Sequence, residues 1–127
     1  MGQIRTLIVD DSSVMRKIVE RALRQAGLEL EVVYEAATGS EGLDLLQKSH
    51  VDLILSDINM PAMDGLEFLR QLRSRNLAPQ TPVVMITTES SEEHVKLAIQ
   101  AGAQGYIRKP FTVDQVKQRV LPLVSAA

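Results

Sequence analysis

Thr6-Leu7-Ile8-Val9-Asp10-Asp11 is a short apolar run that stops on two carboxylates. Leu53-Ile54-Leu55 and Val83-Val84-Met85-Ile86 are runs of the same kind, followed closely by Asp57 and by Thr87-Thr88. Continuous apolar runs suit parallel strands covered on both faces, although a buried helical turn has the same look. Val32-Val33-Tyr34 and Tyr106-Ile107 are weaker candidates for the same role. Segments with helical spacing lie between these runs. In the first, Val14, Ile18, Ala22 and Ala26 are read as one face, with Arg16, Lys17, Glu20 and Arg24 opposite. Helix starts are marked by Thr38 with Glu41, Ser90 with Glu93 and Thr112 with Gln115, each at capping-box spacing, and more loosely by Asp64 with Glu67. Gly27 and Gly102 stand where the first and fourth helices should stop, and Pro79 and Pro82 bracket the entry to the fourth strand. The alternation predicts a single α/β domain over residues 1–127 with no effector domain: about five β–α units, a doubly wound parallel sheet with helices on both faces.

Composition narrows the function. The 127 residues are 45% hydrophobic and 24% charged, enough for one substantial core. Fourteen Lys and Arg against sixteen Asp and Glu leave a net charge of −2, which gives no bulk attraction to nucleic acid or to an anionic membrane. The absence of cysteine excludes disulfides, thiolate metal sites and a cysteine nucleophile. Tyr34, Phe68, Tyr106 and Phe111 are the only aromatics, too few to interleave with basic residues as a base-stacking platform. There is neither a signal-peptide pattern nor a membrane-spanning run, so the expectation is a cytoplasmic protein without membrane insertion.

In open parallel sheets, chemistry gathers at the carboxyl ends of the strands. The residues standing there are Asp10 and Asp11, Asp57, Thr87 and Thr88, and Lys109. If the first and third strands are neighbours, three carboxylates converge. They would repel one another unless a cation offsets them, and an all-oxygen ligand set suits a hard ion such as Mg²⁺. Each aspartate taken alone is equally at home in a turn or cap; it is their conjunction that favours function. A hydroxyl from Thr87 and an ammonium from Lys109 are what a phosphoryl group needs on its other sides, and aspartate can itself be the nucleophile. Lys109 alone reads as a solvated lysine and Thr87 alone as a local backbone partner, but Pro110 restricts Lys109 to an extended backbone.

These residues carry a resemblance. Asp10-Asp11, Asp57 within Ser56-Asp57-Ile58-Asn59-Met60-Pro61-Ala62-Met63-Asp64-Gly65, Thr87, and Gly105-Tyr106-Ile107-Arg108-Lys109-Pro110-Phe111 together resemble the receiver domains of two-component response regulators. Within them the likeness is to the stand-alone chemotaxis regulators of the CheY type, over essentially the whole chain. The resemblance implies a flavodoxin-like sheet of order 2-1-3-4-5 and a phosphoacceptor signalling protein rather than a turnover enzyme. Asp57 would be the phosphoacceptor. Asp10, Asp11, Asp57 and the main-chain carbonyl of Asn59 would hold Mg²⁺, with Mn²⁺ able to substitute. Lys109 and Thr87 would bind the phosphoryl oxygens, Tyr106 would be the switch aromatic, and the Lys109–Pro110 bond would be cis. Asn59 and Glu89 would tune the lifetime of the acyl phosphate. Thr88, where such receivers often carry Ala or Gly, would narrow access, and Ile58 stands where the best-known chemotaxis regulator has Trp. The implied partners are a CheA-like sensor histidine kinase, a flagellar switch protein or other output protein, and a phosphatase, acting on a monomer.

Two surfaces are candidates for those partners. Leu97, Ala98, Ala101, Gly102, Val95 and Ile99 spread over ~200° of the fourth helix, wider than the ~100° needed to cover a sheet. With Tyr106, Lys117 and Arg119 this gives an output surface of Val95, Ile99, Tyr106, Lys117 and Arg119, or else simply a well-buried helix. Arg16, Lys17, Arg21 and Arg24 form a basic face on the first helix, either solvated or suited to an acidic kinase surface. His50 and His94 read as surface residues, and Met60 and Met63 as flanking the site's rim. Three alternatives compete: a phosphorelay intermediate passing phosphate to a phosphotransfer histidine protein, a Mg²⁺-dependent aspartyl-phosphate phosphohydrolase, and a flavin carrier. The phosphohydrolase lacks its second aspartate, that position being Asn59, and the flavin carrier lacks a Gly-rich phosphate loop and sandwiching aromatics.

Overall fold

A computed structural model of the chain describes residues 3–58, 63–87 and 92–125. Five strands alternate with five helices: β1 (Ile4–Val9), α1 (Ser13–Gln25), β2 (Leu30–Ala36), α2 (Gly39–Lys48), β3 (Leu53–Asp57), α3 (Gly65–Ser74), β4 (Val83–Thr87), α4 (Glu92–Gln100), β5 (Gly105–Arg108) and α5 (Val113–Ser125). All strand pairs are parallel, in the order β2-β1-β3-β4-β5. The expected doubly wound sheet and its 2-1-3-4-5 order are therefore present.

The continuous apolar runs follow from burial on both faces. Leu7, Val9, Ile54, Val83 and Met85 point into one core with Leu43 of α2, Phe68, Leu69 and Leu72 of α3, and Ala98 of α4. Their alternates Ile8, Leu53, Leu55, Val84 and Ile86 point into a second core with Val19, Ala22 and Leu23 of α1 and Val116 and Val120 of α5. Neither side of the central strands meets water, so no polar alternation is tolerated.

Local signals act where expected. Thr38 accepts the Glu41 amide at 3.1 Å, Asp64 accepts that of Glu67 at 2.9 Å, and Thr112 and Gln115 close a reciprocal capping box at 3.1 and 2.9 Å. The Ser90–Glu93 box begins outside the described residues. Gly27 and Gly102 take φ of +101° and +111°, the left-handed turn that ends α1 and α4.

The face assigned to α1 is corrected. Ala22 and Ala26 are buried, but Val14 is 67% and Ile18 45% exposed. Steps of four overshoot a helical turn by ~40° each, so a stripe read from Val14 to Ala26 winds away from the sheet. The buried arc is Val19, Ala22, Leu23 and Ala26, with Met15 packed beside it.

Candidate functional site

The site is built from the ends of β1 and β3 and the segment after β5. The β1–β2 ladder runs one step past β1, with the Asp10 amide donating to the Ala36 carbonyl at 3.0 Å. The Asp10 carboxylate is buried and accepts the Ser12 amide at 2.9 Å. The Ser12 hydroxyl in turn accepts the Met15 amide at 3.2 Å as the N-cap of α1, so the first acidic residue and the first helix are locked together. Asp57 is the last residue of β3 rather than the one after it, and it too is buried, whereas Asp11 is exposed. One oxygen from each of Asp10, Asp11 and Asp57 lies within 4.8 Å of the others.

Lys109 enters this cluster from the far side. Its Nζ is 3.5 Å from Asp10 Oδ2 and 3.5 Å from Asp57 Oδ2, and its side chain is only 15% exposed. The Lys109–Pro110 bond is cis. Charge-assisted hydrogen bonds close to ~2.7–2.9 Å. The ammonium donates a long hydrogen bond to Asp10 Oδ2 at 3.5 Å and lies equally far from Asp57 Oδ2, between the two carboxylates. It offsets the repulsion of two buried anions while remaining able to turn to a third. The chemistry of the donor set, carboxylate oxygens with one buried side and one open side at Asp11, fits a hard divalent ion that keeps some of its waters.

Thr87 closes β4 opposite Arg108 of β5. Asn59, Met60, Thr88 and Glu89 lie outside the described residues, as do the side chains of Thr87, His94 and Val95. Of the remaining output candidates, Ile99 is 52% exposed on α4, Lys117 is exposed on α5, and Tyr106 lies on β5. Arg119 is not simply a surface charge, for its guanidinium carbon is 5.1 Å from the centroid of the Tyr106 ring, and that of Arg108 is 5.8 Å away. His50 is exposed and bonds Asp52 at 3.1 Å.

Two supporting residues escaped the sequence reading. Arg16, assigned to a basic outer face, is 15% exposed and donates from Nη1 to the Asp10 carbonyl at 2.6 Å and from Nε to Glu35 at 2.9 Å. Lys17 also bonds Glu35, at 2.9 Å, and this bond with that from Arg16 holds the Glu35 carboxyl below its ordinary range. No local pattern separates a buttressing arginine from a solvated one; only the strand it reaches does. The second is Gly65: a Cβ there would lie 2.2 Å from the Asp57 carbonyl oxygen and 2.8 Å from Ile58 Cα. The lack of a side chain lets its amide donate to the Ile58 carbonyl at 2.8 Å, seating the start of α3 against the end of β3. Asp64-Gly65 after Pro61 was the available signal, and it reads equally as an ordinary turn.

The response regulator receiver domain family matches residues 6–121 of the chain. The chemotaxis protein CheY-3 of Vibrio cholerae is 40% identical over 117 residues, 92% of this chain and 88% of that one. A CheY homolog of Campylobacter jejuni is 39% identical over 118 residues, 92% and 89% of the two chains. Among solved structures, V. cholerae CheY4 superposes with a TM-score of 0.83 at 37% identity, covering 96% of this chain and 99% of the other. A putative response regulator from Chloroflexus aurantiacus does so at 0.86 and 30%, covering 98% and 99%. Sequence match and superposition span the same strands that deliver Asp10, Asp57 and Lys109 to one edge, and the chain belongs to the response regulator receiver domain family, with relatives of the CheY type.

Proposed function

We propose that the chain is a phosphorylation switch of the chemotaxis type, in which Asp57 takes a phosphoryl group from a histidine kinase of the CheA kind. The observation that supports this best is the ammonium of Lys109 at 3.5 Å from both Asp10 and Asp57 in a three-carboxylate pocket. An Asp57 carboxylate oxygen attacks the phosphorus of the phosphohistidine. The P–N bond breaks as the P–O bond forms, and the imidazole nitrogen keeps the electron pair and takes up a proton. Asp10, Asp11, Asp57 and the Asn59 carbonyl are the residues that would hold Mg²⁺. When bound, that ion neutralises the charge gathered on the phosphoryl oxygens. Lys109 leaves its position between the two aspartates to pair with a phosphoryl oxygen, and Thr87 donates its hydroxyl to another. Asn59 and Glu89 flank the acyl phosphate and set its lifetime through water placement, and Thr88 restricts entry.

The output is read as a protein contact at Ile99, Tyr106, Lys117, Arg119 and Val95, with a flagellar switch component as the partner. The reading places the chain in the cytoplasm, consistent with the finding that no helix among the described residues is long and apolar enough to cross a membrane. Incubation with acetyl phosphate and Mg²⁺ should add one phosphate to the protein by mass spectrometry. Asp57→Asn should add none, and equal labelling of that variant sinks the assignment. Capture from lysate with and without beryllium fluoride tests the output: a flagellar switch protein enriched by the mimic supports it, and a phosphotransfer histidine protein in its place supports a relay.

A further inference from the structure

We infer that Arg108 and Arg119 are positioning residues that hold the Tyr106 ring at the outer edge of the sheet and thereby bias the switch toward its resting state. The inference rests on the reading of the acidic pocket as a phosphoacceptor site. Tyr106 and Arg108 are two residues apart on β5, so their side chains leave the same face of the strand. That face is the one covered by α3 and α4, since Tyr106 packs against the core containing Leu72 and Ala98. Helix α5 lies on the other face, burying Val116 and Val120 in the opposite core. Arg119 therefore reaches the ring around the edge of the sheet, where β5 is the last strand. It can do so only while the ring lies toward that edge.

Both guanidinium carbons are within the ~6 Å at which a cation is attracted to an aromatic face, at 5.1 and 5.8 Å, and both arginines are otherwise exposed. Neither has a carboxylate within ion-pair distance among the described residues to compete for it. A ring that turns inward, toward β4, moves away from α5 and forfeits the contact with Arg119. Contacts made in one conformation alone shift the equilibrium toward it by their own free energy.

The test uses the fact that Tyr34 and Tyr106 are the only tyrosines. Ring-carbon NMR of ¹³C-tyrosine-labelled protein then has two residues to resolve, and Tyr34→Phe identifies Tyr106. In Arg119→Gln the resting Tyr106 resonance should move part of the way to its position with Mg²⁺ and beryllium fluoride. The beryllium fluoride concentration at half-change should fall about 2- to 5-fold. Arg108→Gln should act in the same direction, the double variant more strongly than either, and Arg119→Lys, which keeps a cation, should stay near wild type. A double variant with the wild-type resonance and midpoint overturns the inference. A wild-type Tyr106 resonance that ignores Mg²⁺ and beryllium fluoride, or that responds equally in Asp57→Asn, removes the phosphoacceptor reading itself and the inference with it.

Discussion

Lys109 is held by anions at its tip and by a proline at its base. Its ammonium at 3.5 Å from Asp10 and from Asp57 occupies the electrostatic role that a divalent ion would share. Removing it should leave two buried carboxylates facing each other and a stronger demand for metal. Lys109→Met is therefore expected to bind Mg²⁺ more tightly, by about 1 kcal/mol or more at the distances involved, as read by titration calorimetry. The same variant should lose the coupling between phosphorylation and partner binding. Unchanged or weaker Mg²⁺ affinity would mean that the ammonium does not compete for those oxygens. The aspartates and the lysine were legible in the sequence because each stands within two residues of the end of an apolar run. Arg16 was not: its neighbours Lys17 and Arg21 have the same composition and spacing, and only the closeness of β1 and β2 decides that Arg16 meets the Asp10 carbonyl and Glu35.

Helix α1 and strand β2 are tied through Glu35, which takes Lys17 at 2.9 Å and Arg16 at 2.9 Å. Bonding to those cations lowers the Glu35 pKa on folding. A carboxyl with a depressed folded pKa stabilises above its unfolded value, ~4.3, and the contribution is lost as acid takes the pH down through the folded value. Glu35→Gln should therefore cost up to ~1 kcal/mol near pH 7, solvent screening keeping it small. The difference from wild type should shrink toward zero as the pH falls below ~4, in denaturant melts run across that range. A constant difference at all pH values would assign the loss to packing. Helix α3 depends on a different feature, the absent side chain at Gly65. Gly65→Ala forces a methyl against the backbone of Asp57 and Ile58. It should destabilise by ~1–3 kcal/mol, as overpacking does, and slow phosphorylation by acetyl phosphate, because the displaced atoms carry the acceptor. Unaltered stability with unaltered labelling would show that α3 can retreat without moving β3.

Across the whole molecule, the pocket joins three separate parts of the chain, so its occupant should act on global stability. A ligand that binds only the folded protein stabilises by ~2.7 kcal/mol at a hundredfold excess over its dissociation constant. Mg²⁺ should accordingly raise the melting temperature of the wild type, by ~10 °C at that excess for a domain of this size. In Asp11→Ala the rise should vanish while the starting stability holds, because Asp11 is exposed and makes no core contact. An equal rise in both proteins would mean that the ion binds elsewhere.

The alternation of apolar runs with helical spacing was sufficient to determine a doubly wound parallel sheet, because strands buried on both faces cannot carry polar alternation and parallel strands need crossover helices. Helix boundaries were equally local. Thr38, Asp64 and Thr112 cap with their own side chains, and Gly27 and Gly102 turn at positive φ, whatever the rest of the chain does. The identity of the acidic cluster followed from the same punctuation. The buried face of α1 was legible too, for Val19, Ala22, Leu23 and Ala26 stand at i, i+3, i+4 and i+7, and a strict four-residue spacing drifts off that face by helix geometry alone. Tertiary structure alone decided that Arg16 braces Asp10 and that Arg119 lies on Tyr106 across the sheet edge. These contacts join residues on different elements, and a side chain as long as arginine finds its partner by distance in space, which sequence spacing does not encode.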